Sequence, residues 1–147
     1  MCGIIGYIGK QKIRLSCIIE LAKLQKHRGH KDGWGMVYRN GDSVNWVKST
    51  GDLTKINTDS DTYKIQSDFI ILHHRKATYG EVNLQNTHPF KIGANYYMHN
   101  GSVDVTLLKR FLEIKENYKQ KNDLDSEFLV RFMKKYGKKM FKKVFDN

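Results

Sequence analysis

The chain begins with Met1-Cys2-Gly3-Ile4-Ile5-Gly6-Tyr7-Ile8-Gly9, and this stretch is the most informative about both fold and chemistry. Residues 3–8 combine isoleucines with glycines, which predicts a buried first strand. Cys2 lies directly before that strand, behind an initiator Met that can be removed. A Cys at a mature N-terminus carries both a nucleophilic thiol and a free α-amine, which has an ordinary pKa of about 7.7–8.0 and can act as its base. Cys2 is therefore either the nucleophile of an enzyme or a structural residue at the head of a strand.

The length and composition of the chain predict one domain, residues 1–147. The hydrophobic fraction of 39% is sufficient for a single core. The sequence has no run of 18 apolar residues, and its N-terminus lacks the features of a signal peptide. Its two cysteines, Cys2 and Cys17, do not form the pattern of a disulfide framework. We therefore expect a cytoplasmic protein with no membrane partner, in surroundings that keep a catalytic thiol reduced.

The net charge of +11 permits attraction to nucleic acid or to an acidic protein surface. Much of the excess is a C-terminal cluster that consists of Lys134, Lys135, Lys138, Lys139, Lys142 and Lys143. The spacing of these lysines suits the solvated face of a helix. The apolar residues available to cover the domain are Phe132, Met133, Met140, Phe141 and Phe145. Since no zinc-finger spacing or RNA-binding signature accompanies the lysines, the sequence does not favour a nucleic-acid partner.

The remaining pattern predicts an α+β fold. Apolar residues at helical spacing predict a helix over residues 12–26, with Cys17 on its core face. Asn40-Gly41 predicts the turn of a β-hairpin. The further predicted elements are strands at 36–39, 44–48, 69–73 and 96–98, a helix from Asp104 to about 118, and a helix from Asp123 or Asp125 to about 135. Strand, helix, hairpin, two strands and two helices is an α+β order.

Three groups of polar residues follow predicted strand ends: residues 75–78, His88 and Asn100-Gly101. A thiol that attacks an amide needs hydrogen-bond donors for the developing oxyanion, and an Asn side chain beside a Gly N–H supplies two. Asn100-Gly101 is also the signature of a type I′ turn. Both interpretations remain open from the residues alone.

Two side chains have the chemistry to bind the head of a free amino acid. Arg75 offers a planar guanidinium to an α-carboxylate, and Asp125 offers a carboxylate to an α-ammonium. Arg75 could instead form a surface ion pair, and Asp125 could instead cap a helix.

The six histidines raise the question of a metal. His73 and His74 are adjacent, so on a strand they point to opposite faces. Since no cluster has the spacing of metal ligands, we expect neither a metal nor another cofactor.

Taken together, these motifs resemble the glutaminase domain of class II (N-terminal nucleophile) glutamine amidotransferases, from Cys2 to about Glu127. The matching pieces are Met1-Cys2-Gly3-Ile4, Asp32-Gly33-Trp34-Gly35, His74-Arg75-Lys76-Ala77-Thr78, the stretch 80–90, His99-Asn100-Gly101 and Leu124-Asp125-Ser126-Glu127. The stretch 80–90 is most similar to small stand-alone bacterial members. The resemblance implies the αββα sandwich of N-terminal-nucleophile hydrolases, in a short or minimal version.

The resemblance also implies a reaction. Cys2 would attack the side-chain amide of glutamine to form a γ-glutamyl thioester and release ammonia, and Asn100 with the Gly101 N–H would bind the oxyanion. Hydrolysis of the thioester would yield glutamate. The substrate-binding residues that the resemblance implies are Arg75 for the α-carboxylate, Asp125 for the α-ammonium, and Thr78 and His88 as support.

The sequence departs from the family pattern at positions that concern a partner protein. Lys76 and Tyr79 stand where synthase-fused members often have Trp and His. Family domains usually continue for several strands beyond the Asp125 helix, whereas this sequence ends at Asn147. We therefore expect the C-terminal part of the usual domain to be replaced by the lysine-rich helix or supplied by a second chain. An ammonia acceptor would require a synthase partner.

Two alternatives remain open at this point. The chain could hydrolyse another γ-glutamyl amide, or it could be a truncated, inactive amidotransferase-like module that binds a partner through its basic tail. The combination of Arg75 and Asp125 favours a free amino-acid head in the substrate. The partners expected are thus glutamine or a γ-glutamyl amide, and a synthase or a second copy of the chain.

Overall fold

The computed structural model describes residues 2–25, 31–78, 80–112 and 125–145, with only the backbone of 126, 127 and 138–145. The described strands are β1 (Gly3–Arg14), β2 (Trp34–Asn40), β3 (Ser43–Ser49), β4 (Gln66–His74), β5 (Phe90–Ile92) and β6 (Asn95–Tyr97). The described helices are α1 (Leu15–Lys23), α2 (Asp61–Lys64), α3 (Val105–Leu112) and α4 (Asp125–Phe145), with a single 3₁₀ turn at Leu53–Lys55. None of these helices has the length and apolar character needed to cross a membrane.

Strands β1 to β4 form an antiparallel sheet in the order β1-β4-β2-β3. The apolar run of β4 suits a central position, and its His74 pairs with Gly3 of β1 on one side and with Trp34 of β2 on the other. Because β1 and β4 are antiparallel, the start of β1 lies beside the end of β4. This register brings Cys2 next to the loop that follows His74.

Helix α1 covers one face of the sheet. Its buried residues Leu15, Ile18, Ile19 and Ala22 follow the i, i+3, i+4, i+7 spacing of an apolar helix stripe. The main core also contains Ile5, Trp34, Met36, Tyr38, Leu53, Ile70 and Leu72. Full burial of a Leu or Ile side chain contributes about 1.5–3 kcal/mol, so this face of the sheet provides much of the stability that holds the site in place.

The predicted helix over residues 12–26 is wrong at its start. Strand β1 continues to Arg14, and its pairing with β4 shifts register between Ile8 and Ile13, which removes the regular alternation that would have revealed a strand. The prediction that Cys17 lies on the core face is also wrong. Cys17 is exposed, because the apolar stripe of α1 runs through the residues on either side of it.

The predicted hairpin, central strand and later strand are confirmed within a few residues as β2–β3, β4 and β6. The predicted cap of α3 is confirmed as well. Oδ1 of Asp104 accepts from the backbone N–H of Thr106 at 2.8 Å and of Leu107 at 3.1 Å. The predicted continuation to residue 118 and the alternative start at Asp123 lie outside the described residues.

Helices α3 and α4 form a second, smaller core. Leu108 of α3 is fully buried against Phe128 and Phe132 of α4. Met133 lines a cavity of about 190 Å³ that α4 shares with β5 and β6. The prediction that Phe132 and Met133 face the domain is therefore confirmed, whereas the side chains of Met140, Phe141 and Phe145 lie outside the described residues. Gly137, at φ 70°, interrupts the helix just beyond this packed segment.

The β5–β6 ribbon lies on the face of the main sheet opposite α1. A cavity of about 450 Å³ between the two is lined by residues that include Val37 and Ile71 from the sheet and Tyr96 from the ribbon. Helix α4 packs on the far side of the ribbon. The order helix, sheet, sheet, helix is the predicted αββα arrangement of an α+β fold, with a second sheet of two strands among the described residues.

Candidate active site

The thiol of Cys2 lies against the backbone of Lys76. The Lys76 N–H donates to Sγ at 3.3 Å, and the thiol donates to the Lys76 carbonyl at 3.4 Å. Gly3, the next residue, leaves room for the imidazole of His74, with which a Cβ at position 3 would collide. Cys2 is half-buried, and both contacts hold its sulfur against the backbone of Lys76.

Asn100 reaches Cys2 from the other side. Its Nδ2 donates to the carbonyl oxygen of Cys2 at 3.4 Å, and its Oδ1 lies 3.1 Å from Nε2 of His73. Gly101 follows at φ 108°, a left-handed conformation that favours glycine. The type I′ turn interpretation of Asn100-Gly101 is wrong, since the pair lies between β6 and α3 and joins no hairpin.

A line of histidine rings leads inward from Asn100. The rings of His73 and His88 have their centroids 4.2 Å apart, and Nε2 of His88 lies 3.3 Å from Nδ1 of His99. Nε2 of His99 lies 3.9 Å from Oδ1 of Asp125. Asp125 is the first residue of α4, and its Oδ2 also accepts from the Val103 N–H at 2.6 Å.

Burial keeps these rings neutral. It lowers the pKa of His73 to about 4, with the adjacent His74 as the next cause, and the pKa of His88 to about 2, with His73 as the next cause. Burial lowers the pKa of His99 as well, while Asp125 opposes that shift. Each ring therefore carries a single N–H at neutral pH. In the described part of the chain, no group of three or more His, Cys, Asp or Glu side chains could hold a metal ion.

Arg75 is buried, with only 4% of its surface exposed, so the surface ion pair considered from sequence is wrong. Its guanidinium donates to the carbonyls of Glu81 at 2.9 Å and Gly80 at 3.4 Å. Burial lowers the pKa of Arg75, whereas the neighbouring Cys2 and Asp32 raise it. Arg75 thus lies within electrostatic range of the thiol, at the same end of β4.

The other predicted site residues are distributed around this centre. Thr78 is exposed in the loop after Arg75. His88 is buried inside the histidine line, and Asp125 ends that line. The structure therefore brings Cys2 and Asn100 into direct contact and connects Asn100 to Asp125 through the rings.

Three further residues, which were not among the predicted site residues, support the site. His73 contacts Asn100, and His99 lies between His88 and Asp125. Oδ2 of Asp32 accepts from the Ala77 N–H at 2.8 Å and anchors the loop that carries Arg75. The alternation of side chains along a strand predicts that His73 and His74 lie on opposite faces of the sheet. His74 does lie on the other face, where its Nε2 is 3.2 Å from Oε1 of Gln25.

Residues 1–140 match the family described as glutamine amidotransferases class-II, and the chain belongs to this family. It is 34% identical over 145 residues to the glutamine–fructose-6-phosphate aminotransferase (isomerizing) of Listeria innocua, covering 95% of this chain and 23% of that protein. It is 32% identical over 140 residues to the corresponding enzyme of Thermococcus kodakarensis, covering 90% of this chain and 22% of that protein. The chain thus spans less than a quarter of the length of these relatives.

The fold is similar to that of glutamine phosphoribosylpyrophosphate amidotransferase from B. subtilis, whose structure was determined as a complex with ADP and GMP. The superposition has a TM-score of 0.64 at 27% sequence identity and covers 94% of this chain and 30% of that one. The described residues therefore have the fold of a glutamine amidotransferase domain.

Proposed function

We propose that this chain hydrolyses the side-chain amide of glutamine to glutamate and ammonia, with Cys2 as the nucleophile. The observation that carries the proposal is the contact between Asn100 and Cys2, in which the amide nitrogen lies 3.4 Å from the Cys2 carbonyl. This contact provides a donor beside the thiol, where the oxyanion of an attacked amide would form. Membership of the glutamine amidotransferase family supports the same reaction.

Removal of Met1 precedes the reaction and frees the α-amine of Cys2. In the first half of the reaction, this amine takes the thiol proton as Sγ attacks the amide carbon of glutamine. The oxyanion is bound by Nδ2 of Asn100 and the N–H of Gly101, a residue whose φ of 108° suits this loop. The carbon–nitrogen bond then breaks. The proton passes from the α-ammonium to the departing nitrogen, which is released as ammonia. A γ-glutamyl thioester remains on Cys2.

In the second half, the α-amine takes a proton from water as the water oxygen attacks the thioester. The same donors bind the second oxyanion. Cleavage of the carbon–sulfur bond releases glutamate, and the thiolate recovers its proton from the α-ammonium. A reducing cytoplasm would keep this thiol available between turnovers.

Recognition of the substrate head is assigned to Arg75 and Asp125. Arg75 is buried beside the thiol end of β4, so a carboxylate that reaches it would form a charge-assisted bond away from water. Asp125 is 20% exposed at its side chain and would accept from the α-ammonium. Thr78, on the loop after Arg75, and His88, behind the site, are assigned supporting roles.

The ammonia would be passed to a second protein. The relatives are whole aminotransferases of which this chain spans less than a quarter, 23% and 22%. We therefore propose a synthase partner, or association with a second copy of the chain. Neither is needed for the hydrolysis itself.

Ammonia release from glutamine by the purified chain tests the proposal. Release that is lost in Cys2→Ser and kept in Cys17→Ser would support it, because Cys17 is an exposed thiol on α1, away from the site. A wild-type chain with an intact N-terminal Met and no ammonia release would favour the inactive binding module instead.

A further inference from the structure

The amide of Asn100 has an orientation that matters for the proposed chemistry. The two ends of an Asn amide have nearly the same size, so hydrogen bonds decide which end points where. If Nδ2 faces Cys2, it can donate to an oxyanion. If Oδ1 faces Cys2, its negative partial charge repels that oxyanion.

The contacts of Asn100 fix the orientation by elimination. The carbonyl oxygen of Cys2 can only accept, so the Asn100 atom that bonds it at 3.4 Å is Nδ2. Oδ1 therefore faces His73, 3.1 Å from its Nε2. Since Oδ1 can only accept, Nε2 of His73 carries the ring hydrogen and Nδ1 carries none.

His73 is held firmly enough to impose this arrangement. It is fully buried in the central strand β4. Within the sheet, His73 pairs with Ile4 of β1 on one side and with Gly35 of β2 on the other. The ring of His88 packs against it, with the centroids 4.2 Å apart. Gly35 permits this packing, because a Cβ there would collide with the carbonyl of His88.

We propose that His73 is a positioning residue for Asn100: its Nε2–H locks the amide with Nδ2 toward Cys2. The effect on catalysis rests on the proposed hydrolysis. The tautomer of His73 and its hydrogen bond to Asn100 do not depend on that reaction. Nδ1 of His73 has no hydrogen-bond partner among the described side chains and backbone, which agrees with a bare nitrogen at that position.

Three variants test the role by kinetics. His73→Phe keeps the ring against His88 and removes the donor, so kcat should fall about 10- to 100-fold, below the roughly 10²–10³ expected for loss of an oxyanion donor itself. KM should change little, because the bond acts on the transition state. His73→Gln should recover most of kcat, since its amide nitrogen can reach the position of Nε2. His74→Gln, a buried neighbour on the opposite face, is the matched control and should leave kcat near wild type.

A double-mutant cycle separates positioning from a structural role. In an Asn100→Ala background the His73→Phe substitution should have no further effect on kcat, because the group that it positions is absent. Equal effects of His73→Phe in both backgrounds would overturn the proposal. The proposal would also be overturned if His73→Gln lost all activity while the folded fraction of His73→Phe kept the wild-type kcat.

Imidazole ¹⁵N spectra of the wild-type chain provide a readout that needs no turnover. The expected result is His73 protonated at Nε2 and bare at Nδ1 at neutral pH. A spectrum with the hydrogen on Nδ1 would overturn the inference whatever the activity. If the wild-type chain releases no ammonia but shows the Nε2–H form, the proposed hydrolysis fails while the positioning contact holds.

Discussion

The thiol of Cys2 forms two hydrogen bonds with the backbone of Lys76. The Lys76 N–H reaches Sγ at 3.3 Å, and the Lys76 carbonyl accepts from the thiol at 3.4 Å. The sulfur is thus held at the junction of the first strand and the loop after the central strand. The Lys76 side chain is exposed, so the departure from Trp at this position changes the outer surface of the site and leaves the contact with the thiol unaffected.

The first prediction is that mature protein lacks Met1 and that a glutamine-like electrophile, 6-diazo-5-oxo-norleucine, adds once, at Cys2. In the proposed mechanism the free amine beside the thiol carries the proton in both halves of the reaction. Intact mass and peptide mapping measure both outcomes. Cys17 is a demanding control, because it is exposed on α1 and accessible to a non-specific reagent. Adduct formation at Cys17 with Cys2 unmodified would end the assignment of the nucleophile.

The second prediction is that Arg75→Lys raises KM for glutamine by about one to two decades. Lys keeps the charge but loses the planar fork, and a charge-assisted hydrogen bond is worth about 1.5–3 kcal/mol. Initial rates over a range of glutamine concentrations measure the change. Arg39→Lys is the matched control, since Arg39 forms a surface ion pair with Asp68 at 2.7 Å. An unchanged KM in the Arg75 variant would remove this residue from the substrate site.

The sequence predicted most of the fold because its strands carry strong local signals. Asn40-Gly41 set the hairpin, and the apolar run of β4 marked a central strand. The second half of β1 was missed because residues 9–14 are mostly polar, while Ile13 fits a helical spacing as well as a strand. The exposure of Cys17 was missed because the predicted apolar face included it, whereas the buried stripe of α1 runs through Leu15, Ile18, Ile19 and Ala22.

The candidate site was only partly predictable from sequence. Cys2, Arg75 and Asn100 are recognisable by residue type and position after a predicted element. His73 was not, because its role depends on which face of β4 it occupies and on what packs against that face. Such contacts join residues far apart in the chain, and no local spacing encodes them.

The third prediction is that Asn100→Ala lowers kcat by about 10²–10³ and leaves KM nearly unchanged. The donor acts on the oxyanion, which exists only in the transition state and the tetrahedral intermediate. Thermal stability should fall little, because Asn100 is exposed and joins no hairpin. Kinetics and melting are measured on one sample, with Asn95→Ala as the control at an exposed position in β6. A large drop in melting temperature with normal turnover would restore a structural role.

The fourth prediction is that the free energy of unfolding decreases as pH falls from about 6.5 to about 4. The pKa of His73 is lowered to about 4 and that of His88 to about 2, so the unfolded chain binds protons first and acid favours unfolding. Each of the two histidines contributes a slope of up to about 1.4 kcal/mol per pH unit in this window. The charged or titratable groups that contribute to these shifts are His73 itself, His74, Arg75, His99 and Lys48.

Urea unfolding at a series of pH values measures this slope. His88→Phe keeps an aromatic ring against Phe90, whose centroid is 4.6 Å away, and removes one titrating group. The variant should therefore show a shallower dependence on pH in the same window, whatever its stability at neutral pH. An identical slope in the variant and the wild type would show that His88 titrates alike in the folded and unfolded chains.

The last prediction concerns the apolar face of α4. Phe132 is fully buried, with its ring centroid 5.7 Å from Phe111 and 4.9 Å from Tyr136. Phe132→Ala should lower the free energy of unfolding by about 3–5 kcal/mol, because it removes buried contacts and leaves a cavity. Lys134→Ala, at an exposed position on the same helix, should change it by less than about 0.5 kcal/mol.

Because α4 begins at Asp125, loosening this helix should also raise KM for glutamine through the α-ammonium site, whereas Lys134→Ala should not. Similar stabilities of the two variants would show that this segment covers nothing, and would leave its lysines to an electrostatic role that weakens with salt.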